Sequence, residues 1–206
     1  AEAIIQEKTL KSLPYKGFAI LYRTNAQSRA MEEALRKLNI PYKLYGGTSF
    51  YQRKEIKDLI SYFRLTYNPN DEEALKRVIN YPRRGIGDTT VEKIIVAADK
   101  NQYRLWDVVA NAQMFLDGRS ATSVGNFATM IQSFQAVGNN SSAFDTAMHI
   151  AQHSGILKDL YEDKSVEGLA RYENIQELLN GIKEFSERED LEQKSLDIFL
   201  QDVALL

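Results

Sequence analysis

The chain has 206 residues, enough for one medium domain or one domain with part of another, and its 44% hydrophobic and 26% charged content excludes disorder throughout. With no cysteine, disulfides and thiolate metal sites are excluded, and His149 and His153 lack the HExxH pattern that would make their four-residue spacing read as zinc. No apolar stretch approaches the roughly 20 residues that span a bilayer, the start carries no signal-peptide pattern, and the missing cysteine fits a reducing, cytoplasmic setting.

The net charge of −2 conceals an uneven distribution. Tyr22 to Arg64 holds nine Lys/Arg against four Asp/Glu, a net +5, and Lys76 to Arg104 holds seven against three, a net +4. Asp159 to Asp202 holds five against thirteen, a net −8. A basic first half and an acidic last quarter point to one part of the surface meeting a polyanion, although scattered solvated charge gives the same counts.

The first dozen residues are polar and helix-friendly, without a strong signal. Gly17 to Tyr22 is an apolar run of strand length, followed by Thr24 or Asn25 as a cap and by Ala26, Ala30, Met31, Ala34, Leu35 and Leu38 at helical spacing. Asn39 and Pro41 end that helix, and Tyr42 to Tyr45 reads as a second strand closed by Gly46 and Gly47. Strand, helix and strand within about 30 residues is the βαβ pattern. Two strands make a poor sheet, so the unit calls for partners outside this chain.

Beyond Gly47 the expectation is all-α. Ile56, Leu59, Ile60 and Phe63 place a helix over Glu55 to Tyr67, broken by Asn68-Pro69-Asn70. Asn70 and Glu73 have capping-box spacing and open a helix through Ala74, Leu75, Val78 and Ile79, which Tyr81-Pro82 ends. Val91, Ile94, Ile95 and Ala98 mark the next. Further helices are expected over 104–115, 120–137, 142–153, 168–187 and 195–205. The chain starts at Ala1 and stops on the apolar run Val203 to Leu206, which reads as a cut through a longer protein.

No GxxxxGK[ST] loop is present, no Ser/His/Asp grouping has local support, and the carboxylates after Asp159 read as a solvated face, so this chain alone does not read as a catalyst. Gly46-Gly47-Thr48-Ser49 lacks a phosphate-binding lysine and reads as a strand-to-helix turn. The stretch YPRRGIGDTT is different. Gly85 and Gly87 permit positive φ and close approach, Ile86 tucks inward, and the amides from Ile86 to Thr90 lie where a helix N-terminus favours an anion. Arg83 and Arg84 add charge, and Thr89 and Thr90 add hydroxyl donors, a set that grips a nucleic-acid backbone without reading its sequence. A plain inter-helix turn capped by Asp88, with solvated arginines, is the competing explanation.

A second cluster, Tyr22 to Arg29, sits where a strand would end and a helix begin, the binding edge of a parallel sheet; ordinary capping by Thr24 or Asn25 accounts for it equally well. The third, Phe50 to Lys57, interleaves aromatics with cations as a single-strand platform does, but Phe50 or Tyr51 as core with Arg53 to Lys57 as a helix start fits the same residues.

The stretches LYRTNAQSRAMEEAL, YGGTSFYQRKEIKDLISYFRL and NPNDEEALKRVINYPRRGIGDTT resemble, in order and spacing, the UvrD/PcrA/Rep-type superfamily 1 DNA helicases, and ARYENIQELLNGIKEF and SLDIFLQDVALL are similar to that family's closing helices. The likeness is weakest from Asn111 to Ser142. It implies a mainly α piece of an ATP-dependent DNA helicase. Residues 1–45 would be part of motor domain 2A, with its βαβ piece, and residues 46–206 most of the helical 2B subdomain, with a GIG turn of helix-hairpin-helix type. It implies duplex contact at Arg83, Arg84, Gly85, Ile86, Gly87, Thr89 and Thr90, and single-strand contact at Arg23, Asn25 and Arg53. No cofactor is implied for this piece; ATP and magnesium belong to the parent, whose Walker motifs are absent here. The implied partners are DNA, the remaining helicase domains and repair or replication proteins, with no membrane. The rival expectation is a protein-interaction and autoregulatory module docking through the acidic Asp159–Asp202 face; a free-standing helix-hairpin-helix module fits the truncated ends less well.

Overall fold

A computed structural model describes residues 1–204, so Leu205 and Leu206 of the expected last helix lie outside the described residues. The helices are α1 (Glu2–Lys11), α2 (Ser28–Lys37), α3 (Lys54–Tyr67), α4 (Glu72–Val78), α5 (Asp88–Asn101), α6 (Leu105–Ala110), α7 (Ala112–Phe115), α8 (Gly118–Gly138), α9 (Ala143–His153), α10 (Ile156–Glu162), α11 (Val166–Glu187) and α12 (Leu196–Ala204). Their apolar stripes decide the packing. Ile56, Leu59, Phe63 and Leu65 of α3 are wholly buried, and α3 packs against α4, α8, α9, α11 and α12. The core runs from Phe50 to Phe199 as one cluster, with Phe127, Ile131 and Phe134 of α8 and Ile175, Leu178 and Ile182 of α11 as its other walls.

Local chemistry sets the helix ends, with three departures from expectation. Asn39 enters the left-handed region at φ 52° after α2, as an asparagine tolerates, while the Ile40 amide donates to the Leu35 carbonyl. Asp71, not Asn70, caps α4, its carboxylate accepting from the Ala74 amide at 3.0 Å. The single helix expected over 104–115 divides at Asn111, and α10, which the pattern did not suggest, forms a hairpin with α11.

The expected strands did not form: among the described residues there is no strand. Tyr15–Gly17 is a 3₁₀ turn, 18–22 and 42–45 are non-regular, and Leu21 and Tyr45 are left 93% and 80% exposed. The reason is the absence of a partner, because a strand's amides and carbonyls need a neighbouring ladder.

Polar side chains join the first 45 residues to the helical body. The α2 carboxylate Glu32, 3% exposed, accepts from the Phe50 amide at 3.0 Å, from the Tyr42 hydroxyl at 3.2 Å and from the Ser49 hydroxyl. Arg29, 4% exposed, reaches Glu33 at 3.1 Å, Glu177 at 2.9 Å and Glu184 at 3.0 Å, the last two on α11. Burial alone would lower its pKa, and these three carboxylates outweigh burial and raise it. The guanidinium fits because position 181 of α11 is glycine: a Cβ there would lie 2.6 Å from Nη1.

Candidate nucleic-acid interface

The segment between α4 and α5 is built from beneath. Tyr62 of α3, wholly buried, donates its hydroxyl to the carbonyls of Val78, at 3.2 Å, and Tyr81. Burial pushes the Tyr62 phenol well above the ordinary tyrosine range, with the Arg84 cation opposing, so it stays a donor. The Asn80 side-chain carbonyl accepts from the amides of Arg84, at 2.9 Å, and Ile86, at 3.1 Å. Gly85 sits at φ 75°, which a side chain would strain, and Ile86 is 1% exposed, pinning the turn to the core.

The expected residues divide around this frame. Arg83, Gly85, Gly87 and Thr89 are exposed on the outer side. Among the described residues the amides of Gly85, Gly87, Asp88 and Thr89 have no partner, and no side chain caps α5. Arg83 likewise has no side-chain partner there. The Ile86 amide, expected to point outward, is bonded to Asn80 instead. Of the two glycines that permit positive φ, Gly85 takes it, and Gly87 N-caps α5 in an ordinary extended conformation. The capping alternative for Asp88 is not what forms either, since Asp88 opens α5 as its first residue. Thr90 is 8% exposed, its hydroxyl 3.5 Å from that of Ser120 at the start of α8.

Arg84 departs furthest from expectation. Its guanidinium turns inward, Nη1 donating to the carbonyls of Pro82, at 2.8 Å, and Val78, at 3.3 Å, and Nη2 to the carbonyl of Ser154, at 2.5 Å. The rings of Tyr62 and Phe127 lie 5.7 Å from its central carbon.

The other two clusters meet each other. Arg23 and Asn25 are exposed on the approach to α2, where the Gln27 side-chain carbonyl accepts from the Arg23 and Thr24 amides at 2.9 and 3.2 Å. Arg53, expected at a DNA surface, is 9% exposed and donates to Asn174 at 2.8 Å and Ser28 at 2.7 Å. Desolvation lowers its pKa, and the nearby carboxylates Glu32 and Glu55 oppose that. Phe50 and Tyr51 are core, the alternative the sequence had left open. Sequence reasoning missed Asn80, Tyr62, Ser120 and Ser123, the last 3.8 Å from where a Gly85 Cβ would stand. Asn80 carried a signal, a short amide side chain just before a turn, which locally bonds backbone donors.

Comparison with known proteins decides the lineage. The family model described as UvrD-like helicase C-terminal domain matches residues 1–206. This chain belongs to that family. An ATP-dependent DNA helicase PcrA of Staphylococcus epidermidis is 40% identical over 193 residues, covering 93% of this chain and 26% of the relative. That of Staphylococcus aureus strain Mu50 is 39% identical with the same coverage. The chain thus spans about a quarter of the length of these relatives. Among the described residues no helix is long and apolar enough to cross a membrane.

Proposed function

We propose that this chain is the part of an ATP-dependent DNA helicase that holds duplex backbone ahead of the fork and orients the motor. Residues 1–45 correspond in this reading to an edge of the second motor domain, 2A. Residues 46–206 correspond to its helical 2B insertion, and the non-regular stretches around Leu21 and Tyr45 would become strands when paired with the rest of a sheet. ATP and magnesium are held by parts of the longer protein, which works in the cytoplasm. The observation that carries the reading is the outer side of the α4–α5 turn. Amides at Gly87, Asp88 and Thr89 that have no partner among the described residues open the 14-residue α5 beside the exposed Arg83 and the Thr89 hydroxyl. Arg23 and Asn25, also exposed, are the single-strand contacts in this proposal; the buried Arg53 and the half-buried Arg84 act by holding neighbouring segments.

The test is duplex binding over a range of salt. Arg83→Ala lowers affinity similarly for unrelated sequences and reduces the slope of log K against log salt by about 0.9, one phosphate's share. Unchanged affinity and slope overturn the duplex role. A second reading, protein docking and autoregulation, draws on Tyr161, Val166 and Leu169 of the α10–α11 hairpin, which are 61%, 88% and 50% exposed within the acidic quarter. Titration with repair or replication proteins alongside DNA separates the two, since binding to protein alone supports the second.

A further inference from the structure

We infer that the half-buried Arg84 is a positioning residue, whose guanidinium is turned onto backbone carbonyls to set the shape of the α4–α5 turn rather than being presented to a phosphate. The inference rests on the duplex reading for its consequence, but its evidence is independent of it. Three carbonyls from three places converge on one guanidinium: Val78 at the end of α4, Pro82 within the turn, and Ser154 at the C-terminal end of α9. The rings of Tyr62 and Phe127 stand at equal distance, 5.7 Å, giving the cation an aromatic surround from α3 and α8. A planar fork with fixed donors can tie several acceptors at once, which a lysine ammonium on a flexible stem does not reproduce. To reach a phosphate outside, Arg84 would have to leave all three carbonyls and both rings, and the carbonyl of the buried Ser154 would lose this donor.

Arg84 works with Asn80. The Asn80 carbonyl holds the amides on either side of Gly85, and the Arg84 guanidinium holds the carbonyls before it, so the turn is fixed from both of its polar sides. With Ile86 seated in the core, this leaves the Gly87, Asp88 and Thr89 amides facing outward beside Arg83. Neighbouring arginines thus divide the labour: Arg83 meets the anion, and Arg84 makes the surface that meets it. The bond to Ser154 also ties the turn to the corner where α9 gives way to α10, so a shift of that corner alters the turn.

The experiment compares Arg83→Ala, Arg84→Ala, Arg84→Lys and Asn80→Ala in the full-length protein, by salt-dependent duplex binding and by amide hydrogen exchange across residues 80–90. A positioning Arg84 gives Arg84→Ala and Arg84→Lys faster exchange at Ile86, and about tenfold weaker binding at every salt concentration. The salt slope stays near that of the unsubstituted protein, because neutral amide contacts release no counterions. Asn80→Ala, which removes no charge and covers the case in which an Arg84 variant fails to fold, gives the same signature. Arg83→Ala does the reverse, losing slope with exchange unchanged. The inference is overturned if Arg84→Ala drops the slope by about 0.9 with exchange at Ile86 unaltered, or if Arg84→Lys restores full affinity. If the unsubstituted protein shows no salt-dependent duplex binding, the duplex reading falls, while exchange at Ile86 still decides whether Arg84 holds the turn.

Discussion

Gly181→Ala is expected to change sign according to what stands at position 29. In the middle of α11 a glycine-to-alanine change ordinarily stabilises by about 0.5–1 kcal/mol, because alanine loses less backbone freedom. Here the new Cβ would lie 2.6 Å from Arg29 Nη1, 2.8 Å from Cζ and 3.1 Å from Nε, well inside contact distance. The guanidinium is the far end of a flexible side chain, but it is held by Glu33, Glu177 and Glu184 at 2.9 to 3.1 Å and cannot withdraw without loosening those pairs. Overpacking costs about 1–3 kcal/mol. The loosened pairs add less, about 0.2–1 kcal/mol for an exposed one, and the Glu184 side chain is 69% exposed. The net expectation is destabilisation by about 2 kcal/mol. In an Arg29→Ala background the clash is gone, and the same change should stabilise by about 0.5–1 kcal/mol. The coupling is therefore about 3 kcal/mol, read from urea unfolding of the four proteins followed by circular dichroism. Equal destabilisation in both backgrounds would show that Arg29 does not occupy the notch at Gly181.

Two further substitutions probe other sites. Thr146 of α9 is wholly buried, and its hydroxyl has no partner among the described residues, so Thr146→Val, which keeps the shape, should raise stability by about 1 kcal/mol in the same assay; a loss of that size would reveal a hydrogen bond. His149 is held below the ordinary histidine pKa, first by burial and then by His153, stacked on it at 4.0 Å, with the Phe134 ring edge-on. A depressed histidine pKa favours the neutral ring in the fold, so the contribution is present above the unfolded value of about 6.5 and is lost as pH falls through the folded one. His149→Gln should flatten the decline in thermal midpoint between pH 7.5 and 5.5, and an unaltered decline would refute the assignment.

The helices from α3 onward were legible because their apolar residues recur at helical spacing, and all of the Ile56–Phe63 stripe except the half-buried Ile60 is wholly buried. The strands were not, because the apolar run Gly17–Tyr22 records a surface that needs a neighbour, and a short apolar run cannot say whether that neighbour lies in the same chain. Asn70 and Asp71 show a smaller limit of the same kind. Both can cap, and the choice was settled by the turn at Asn68, whose side chain takes the Asn70 amide at 3.2 Å and leaves Asp71 to open α4.

The exposed turn between α4 and α5 was legible in the sequence, and the direction of its charges was not. Arg83 and Arg84 are identical in the sequence, yet one has no side-chain partner among the described residues and the other holds three carbonyls. Arg53 and Arg29 repeat the pattern, each consumed by α11, at Asn174 and at Glu177 and Glu184. Counting cations along the chain therefore overstates the field a polyanion meets. Arg29 of the basic first half pairs instead with Glu177 and Glu184 of the acidic last quarter, and Arg53 spends a donor on Asn174 there. Arg23 and Asn25 ahead of α2 and Arg83 and Thr89 at the head of α5 stay exposed, each beside the opening of a helix. In the proposed duplex role these openings suit a ligand whose charge repeats along its length and whose identity is not read, because helix openings and lone cations meet a phosphate the same way whichever base it carries.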